Sequence, residues 1–160
     1  MRKNSRGFSL IELLIVVAII LIIAAIAIPN LLRSRIAANQ ASAVGSLRTI
    51  NTAEITYAST YNAGYSTAMS QLAPPAGTAQ PTATAAGLID SVLAGGTKSG
   101  YMFTYVAGAP TGGRIETYTL NAGPTSQGTT GTNYYFTDQS GVIRQNSTAA
   151  ASATDSPLAG

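Results

Sequence analysis

The strongest hydropathy pattern in the chain is an apolar run near its N-terminus. From Phe8 to Ile28 the residues are apolar with two exceptions, Ser9 and Glu12. Leucine, isoleucine and alanine dominate the run, which favours a helix over a strand. A helix of this length rises about 1.5 Å per residue and so covers roughly 32 Å. Because the hydrocarbon core of a bilayer is about 30 Å thick, the pattern predicts a transmembrane helix over 8–28.

A second helical pattern follows the proline at the end of this run. Apolar side chains recur at spacings of three, four and seven residues, which is the stripe of an amphipathic helix. The stripe is formed by Ile36, Ala43, Leu47, Ile50 and Tyr57. We expect one continuous helix over about 8–60, whose amphipathic second half, 29–60, buries this stripe against another part of the chain.

The charged residues of the second half fall largely off the apolar stripe. We interpret Arg33, Arg35 and Arg48 as a solvated helix face, in preference to a lipid or nucleic-acid patch. No nucleic-acid partner is therefore predicted. Glu54 is interpreted as a surface charge whose candidate partner is a neighbouring subunit.

Beyond the helix, 61–160 is predicted to form a globular head. Small residues and prolines mark 61–100 as a loop, with a short helix or turn in AAGLIDSVLAGG. Four strand-like runs separated by glycines occupy 100–145, and they are YMFTYVAG, RIETYTLN, NYYFTD and GVIRQ. The small, polar tail, 146–160, is expected to be flexible, and it begins with a glycosylation triplet at Asn146 that is common by chance.

These elements together predict an α+β fold class. A long N-terminal helix with a protruding hydrophobic half would pack on a small antiparallel sheet of three to four strands. The sheet is the large partner that the apolar stripe requires. In TDQSG we expect a tight turn, with Asp138 bonding its own backbone and Gly141 supplying the positive φ.

Composition narrows the available chemistry. The chain has 160 residues, no cysteine, no histidine and only 9% charged residues. These absences remove thiolate chemistry, Ser-His and Cys-His catalysis and histidine-liganded zinc. The acidic residues of the head are scattered, and they are Asp90, Glu116, Asp138 and Asp155. We therefore predict no enzyme, no catalytic residue, no cofactor and no metal site.

Three cations precede the apolar run. Arg2, Lys3 and Arg6 hold this end of the helix in the cytoplasm, and they account for the whole net charge of +3. A cleaved secretory signal fits poorly, because the run is too long for one and the small residue, Gly7, precedes the run. A plain membrane anchor explains the length and the cations, but it does not explain Glu12.

The N-terminal sequence RGFSLIELLIVVAIILIIAAIAIPNL closely resembles that of type IV pilins and type II secretion pseudopilins. The matching features are the basic leader ending in Gly7, Phe8 after it, Glu12 four residues later and Pro29 at the end of the run. The resemblance covers about a third of the chain. It implies a leader, 1–7, that a prepilin peptidase cuts between Gly7 and Phe8, N-methylation of Phe8, and the pilin fold.

The resemblance gives roles to Glu12 and Pro29. Cleavage would create a positive amine at Phe8, about 6 Å of helical rise from Glu12. An unpaired charge among packed apolar helices would cost several kcal/mol. Pairing across neighbouring subunits would compensate both charges and fix the axial register, while pairing within one chain is the alternative that the sequence leaves open. Pro29 is interpreted equally well as a simple helix kink or as a hinge that loosens in a filament.

Three functions remain open. The favoured one is a structural subunit of a type IV pilus. Such a homo-oligomeric helical filament is drawn from a single-pass inner-membrane pool by an assembly ATPase and a platform protein, and it ends as an extracellular pilus. The second is a major pseudopilin of a type II secretion system, which would form a periplasmic fibre. The third, a membrane-tethered exported enzyme or binding domain, is disfavoured by the missing histidine and cysteine.

Two features weigh between the first two functions. The absence of a C-terminal disulfide favours a pseudopilin or one of the smaller pilins that lack the bridge. The scarcity of acidic residues in the predicted sheet disfavours a calcium-binding pseudopilin, because calcium requires several oxygen ligands. The sequence does not reveal the biological role of the fibre, its symmetry or its glycosylation.

Overall fold

The computed structural model describes residues 8–158, which divide between two compact units, Met1–Arg35 and Ile36–Gly160. One helix, α1 (Leu10–Tyr61), begins in the first unit and ends in the second. The prediction of a continuous helix over about 8–60 is confirmed. The described part of the first unit consists mainly of helix α1, and the remaining elements belong to the second unit.

Helix α1 ends where the backbone enters the left-handed region. Asn62 has a φ of 53° and Gly64 a φ of 77°, a conformation that asparagine and glycine adopt more readily than most residues. The guanidinium of Arg114 donates hydrogen bonds to the backbone carbonyl of Asn62, at 2.8 Å, and to its side-chain oxygen, at 2.6 Å. The chain direction thus changes at a residue that is held by a distant part of the sequence.

In the described part of the chain, seven strands follow the helix. In chain order they are β1 (Thr97–Lys98), β2 (Tyr101–Ala107), β3 (Pro110–Thr111), β4 (Arg114–Ile115), β5 (Tyr118–Pro124), β6 (Tyr134–Asp138) and β7 (Arg144–Asn146). Five of them form one antiparallel sheet in the order β1-β2-β5-β6-β7, and β3 pairs with β4 in a separate ribbon. The ribbon lies in the connection between β2 and β5.

The predicted α+β fold is confirmed, with one more strand in the sheet than the expected three to four. The runs YMFTYVAG and NYYFTD contain β2 and β6. RIETYTLN splits, because its first two residues form β4 while its end begins β5. The added strand is β1, which has only two residues and therefore shows no alternation of apolar and polar positions that could reveal it.

The apolar stripe of helix α1 and the inner face of the sheet share one hydrophobic core. Four of the five predicted stripe residues are buried, and Ile36 is half-buried. The sheet contributes alternate residues of its central strands, which are Tyr101, Phe103, Tyr118, Leu120, Ala122 and Tyr135. Burying one large apolar side chain contributes about 1.5–3 kcal/mol, so this contact stabilises the second unit.

Glu54 was predicted to be a surface charge, and that prediction is wrong. Its side chain is fully buried. One carboxylate oxygen accepts the backbone N–H of Ser66 at 2.8 Å, and the other accepts the Ser66 hydroxyl at 2.6 Å. The Tyr105 hydroxyl donates to the carbonyl of Ser66 at 2.8 Å. Glu54 lies four residues after Ile50 and three before Tyr57, so the helical spacing alone already placed it on the buried stripe.

The buried tyrosine hydroxyls make the fold sensitive to alkali. Burial raises the pKa of Tyr105 and of Tyr118, and the nearby Glu54 charge raises both further. Burial also raises the pKa of Tyr101 to about 12. The unfolded chain releases these protons near the ordinary tyrosine pKa of about 10, while the folded chain retains them. These tyrosines therefore contribute their full stabilisation below about pH 10. Their contribution to the free energy of unfolding decreases as the pH rises towards the folded-state pKa values.

Asn51 forms a second buried polar contact between the helix and the sheet. Its Nδ2 donates to the Thr137 hydroxyl at 3.0 Å, and its Oδ1 accepts the Tyr118 hydroxyl at 3.0 Å. Among residues 8–158, no buried side-chain nitrogen or oxygen lacks a hydrogen-bond partner. Sliding or rotating the helix would leave the Asn51 amide unsatisfied, so the contact fixes the position of the helix on the sheet.

The segment predicted as a loop contains two short helical turns. A 3-10 helix spans Met69–Leu72, and α2 spans Ser91–Ala94, which confirms the short helix expected in AAGLIDSVLAGG. Asp90 caps α2 by accepting the N–H of Leu93 at 2.9 Å. The Lys98 ammonium lies 2.8 Å from the same carboxylate and is the main cause of its lowered pKa.

The C-terminal segment runs along strand β7. The N–H of Gln145 donates to the carbonyl of Ser156 at 3.1 Å, and the N–H of Leu158 donates to the carbonyl of Ile143 at 2.7 Å. Ala151 is buried. The tail was expected to be flexible because its residues are small and polar. Such a composition does not reveal hydrogen bonds that are made by backbone groups.

The first prediction concerns Gly64, whose positive φ coincides with a close approach of backbone. A Cβ at this position would overlap the carbonyl oxygen of Ile115. Gly128 is the matched control, because it has the same φ of 77° with open space around it. Gly128→Ala should cost about 1–2 kcal/mol of unfolding free energy from backbone strain alone, and Gly64→Ala clearly more.

Urea unfolding of the full chain in detergent micelles, followed by tyrosine fluorescence, measures both costs. Equal losses for the two variants would contradict the close approach at Gly64.

The second prediction concerns the buried carboxylate of Glu54. Glu54→Ala removes the acceptor of both Ser66 donors and should cost about 3 kcal/mol or more in the same urea experiment. Glu54→Gln keeps an acceptor for the Ser66 N–H and should cost distinctly less. A Glu54→Ala variant as stable as the wild type would show that Ser66 needs no partner there.

Candidate functional site

The first half of helix α1 exposes an almost uninterrupted apolar surface. None of its most apolar stretch is buried within the chain. The large apolar side chains from Leu10 to Leu32 are 45–80% exposed. Exposed apolar surface of this extent requires a lipid or protein environment. By length and composition, this part of the helix is able to cross a membrane, as the sequence predicts.

Glu12 lies at the start of this helix and bonds within its own chain. Its carboxylate accepts the backbone N–H of Ser9 at 2.9 Å, and the first helical bond runs from the N–H of Leu13 to the Ser9 carbonyl at 3.2 Å. A serine followed three residues later by a glutamate is the sequence of a capping box, in which the glutamate returns to the backbone N–H of the cap residue. The carboxylate is therefore held by a donor before any neighbour is present.

This capping bond is a feature that the sequence analysis missed. The signal was present in the letters SLIE, directly before the apolar run. The alternatives considered for Glu12 were the Phe8 amine of the same chain and that of a neighbour. Neither amine exists while Phe8 is still bonded to Gly7, and in this uncut chain Glu12 accepts the Ser9 amide. Its second carboxylate oxygen has no partner among residues 8–158.

The other predicted residues of this segment are placed as follows. Phe8 precedes the helix and its side chain is 77% exposed. Gly7, and with it the proposed cleavage bond and the basic leader, lies outside the described residues. Pro29 lies inside helix α1, which continues on both sides of it. Because proline has no N–H, the carbonyl of Ala25 lacks its usual donor four residues later, and this is the weak point of the helix.

In the second unit, Ile36–Gly160, polar side chains and a surface cavity are the features that bear on chemistry. Among the described residues, no group of three or more acidic side chains could hold a metal ion. A surface cavity of about 350 Å³ is lined by Arg48, Leu88 and residues of one helix face. The threonine hydroxyls at this cavity donate to carbonyls of their own helix, as Thr52 does to Arg48 at 3.0 Å. Such hydroxyls have no adjacent base to activate them.

Two polar residues of the C-terminal half serve the backbone. Asp138 accepts the N–H of Ser140 at 2.9 Å, and Gly141 has a φ of 73°, which confirms the predicted turn. Asn146, the first residue of the glycosylation triplet, donates to Asp155 at 2.9 Å and accepts the N–H of Thr148 at 2.9 Å. Both ends of its amide are therefore occupied.

Comparison with known proteins places the N-terminal segment. Residues 2–28 match the family model of the prokaryotic N-terminal methylation motif. The chain is similar to the type IV wide pilus major component PilA4 of Thermus thermophilus, with 65% identity over 37 residues, which are 23% of this chain and 28% of the relative. It is also similar to the type IV major pilin protein PilA of Myxococcus xanthus, with 51% identity over 51 residues, which are 32% of this chain and 23% of the relative.

These similarities are confined to a part of each protein. The chain spans about a quarter of the length of the curated relatives that it matches. No solved structure matches the chain. Within that limit, residues 2–28 carry the prokaryotic N-terminal methylation motif, and the N-terminal segment is similar to those of two type IV pilins. The resemblance stated from the sequence is confirmed.

Proposed function

We propose that the protein is a structural subunit of a type IV pilus, processed from a prepilin and polymerised through its N-terminal helix. The observation that supports this most directly is the exposed apolar half of helix α1 with a capped acid at its start. The pilin relatives are named as major pilus components. A single apolar helix fits a membrane-anchored precursor that becomes an extracellular pilus.

The domain organisation follows from this function. The leader, 1–7, is removed by a prepilin peptidase, which also methylates the new amine of Phe8. The segment 8–28 spans the inner membrane first and forms the filament core later. The segment 29–60 joins the core to the head, 61–160, which faces outward. An assembly ATPase and a platform protein are the machinery that this route requires.

The chemistry of assembly depends on Glu12. An apolar helix gains little free energy when it exchanges lipid tails for the apolar side chains of neighbouring helices. Association of the helices therefore depends on close packing and on polar contacts. The new amine at Phe8 brings a positive charge into the bundle of helices, where an unpaired charge costs several kcal/mol. Glu12 keeps one carboxylate oxygen on the Ser9 amide and offers the other to a neighbour's amine. Pairs formed in this way fix the axial register of helices whose surfaces are otherwise uniform.

Pro29 has a role in the same proposal. The helix lacks one backbone bond there, so it opens at this point at a lower cost than elsewhere. We propose that packing in the filament bends or loosens the helix at Pro29. The distance between neighbouring core helices can then differ from the distance between neighbouring heads.

A pseudopilin of a type II secretion system is the second candidate. The methylation motif is common to both groups, and the absence of cysteine is compatible with either. The named relatives are pilins, which favours the pilus. Electron microscopy at natural expression separates the two, because long extracellular fibres are expected of a pilin.

The third prediction separates the charge of Glu12 from its capping bond. Glu12→Ala and Glu12→Val remove both, whereas Glu12→Gln keeps an acceptor for the Ser9 N–H and removes only the charge. We expect all three variants to insert into the membrane and to lose the leader. We also expect all three to form filaments at least a hundredfold less abundantly, since an unpaired amine costs about 3 kcal/mol or more per subunit.

Filament yield in the sheared fraction, with immunoblots of the membrane fraction, measures these outcomes. Normal filaments from Glu12→Gln would assign the function of this residue to the cap and would contradict charge pairing.

The fourth prediction concerns the leader. Mass spectrometry of purified filaments should find chains that begin with methylated Phe8. Gly7→Asp should leave the leader in place, because the peptidase requires a small residue before the cut, and it should abolish filaments. Ser5→Asp is the control, two residues upstream, and should be processed normally. Filaments built from uncut chains would contradict the proposed function.

A further inference from the structure

Two arginines follow the apolar run on helix α1. Arg33 and Arg35 are exposed and lie in the same compact unit as the apolar half of the helix. Neither forms an ion pair, and neither donates a side-chain hydrogen bond, to any residue between 8 and 158. Two exposed leucines, Leu31 and Leu32, separate them from the end of the run. Both cations therefore lie beside an apolar surface with no acidic residue of their own chain.

The distance from the apolar run places both arginines near the membrane surface. When 8–28 fills the hydrocarbon core, the backbone of Arg33 lies about 8 Å beyond Ile28 and that of Arg35 about 11 Å beyond it. The headgroup layer is about 5–8 Å deep on each side. Arginine side chains extend back along apolar surface to place the guanidinium in the polar layer. Both guanidinium groups therefore reach the depth of the lipid phosphates.

The positions of the arginines around the helix decide between kinds of partner. Successive residues of an α-helix are about 100° apart, so Arg33 and Arg35 point in directions about 200° apart. An acidic patch on one partner protein would meet one of them and miss the other. A layer of lipid headgroups surrounds the helix and meets both. The guanidinium forms paired hydrogen bonds with phosphate oxygens, which matches this partner chemically.

In place of the solvated face expected from the sequence, we propose that Arg33 and Arg35 bind the phosphate groups of outer-leaflet lipids while the subunit is anchored in the membrane. This inference rests on the membrane-anchored stage of the proposed function. The bonds hold the outer end of the apolar helix at the headgroup layer on two sides. These bonds must break when the subunit leaves the bilayer. They therefore oppose extraction until contacts between subunits replace the lipid contacts.

The test uses the full chain in vesicles of phosphatidylcholine and phosphatidylglycerol. The arginine guanidinium carbons are labelled with ¹³C, and their dephasing by lipid ³¹P is measured by solid-state NMR. The chain has seven arginines, of which Arg2 and Arg6 at the inner surface supply a constant signal. We expect the double variant Arg33→Gln/Arg35→Gln to lose about half of the dephased signal.

The control is Arg48→Gln, which removes an exposed arginine of the other compact unit and should leave the dephased signal unchanged. A double variant with the same dephased signal as the wild type would overturn the proposal. So would a double variant that loses filaments but keeps that signal, because the arginines would then serve contacts between subunits. Membrane insertion is measured first by oriented circular dichroism. A chain that fails to insert contradicts the proposed function, whereas an inserted chain without the arginine signal contradicts only the lipid contact.

Discussion

The contact between the apolar stripe of helix α1 and the inner face of the sheet is the interaction on which the compact unit depends. Leu47 and Ile50 of the helix, and Leu120 of the sheet, are fully buried in one core. The same helix carries, in its first half, apolar side chains that no part of the described chain covers. One element therefore satisfies its hydrophobic surface in two ways, by tertiary packing in one half and by an external apolar environment in the other.

The two glutamates of this helix show the same chemistry at different ranges. Each carboxylate accepts a backbone N–H of a serine, Ser9 for Glu12 and Ser66 for Glu54. The bond of Glu12 closes over three residues and starts the helix. The bond of Glu54 closes over twelve and ties the helix to the chain that follows it. In both positions a backbone N–H satisfies a carboxylate oxygen that lies among apolar neighbours in the sequence.

The sequence predicted those features whose causes are local. The helix and the strands β2 and β6 followed from periodicity, and the turn at Asp138 and Gly141 followed from turn chemistry. The cap at Glu12 was equally local and could have been found. The helical spacing of Glu54 indicated that it is buried. It did not indicate the partner Ser66, because that contact forms only when the later part of the chain folds back onto the helix. The C-terminal segment is held both by backbone bonds and by the side-chain bond from Asn146 to Asp155, and composition alone does not show which residues these bonds join.

The candidate site divides in the same way. The motif at Gly7, Phe8 and Glu12 is a pattern of neighbouring residues, so the sequence alone was sufficient to recognise it. The register role proposed for Glu12 involves a second copy of the chain, and the periodicity of one chain does not determine the geometry of a filament. Pro29 is ambiguous for the same reason, because neighbouring helices decide whether a missing backbone bond matters.

The course of the C-terminal segment along β7 has a consequence for solubility at high density. A bare outer strand presents free N–H and C=O groups that recruit strands of other molecules and seed aggregates. Here Pro157 lies opposite Arg144 in an antiparallel bridge, and proline cannot donate to a further strand. At the opposite margin of the sheet, β1 is only two residues long. Both edges of the sheet therefore present few backbone groups to which a strand of another molecule could pair.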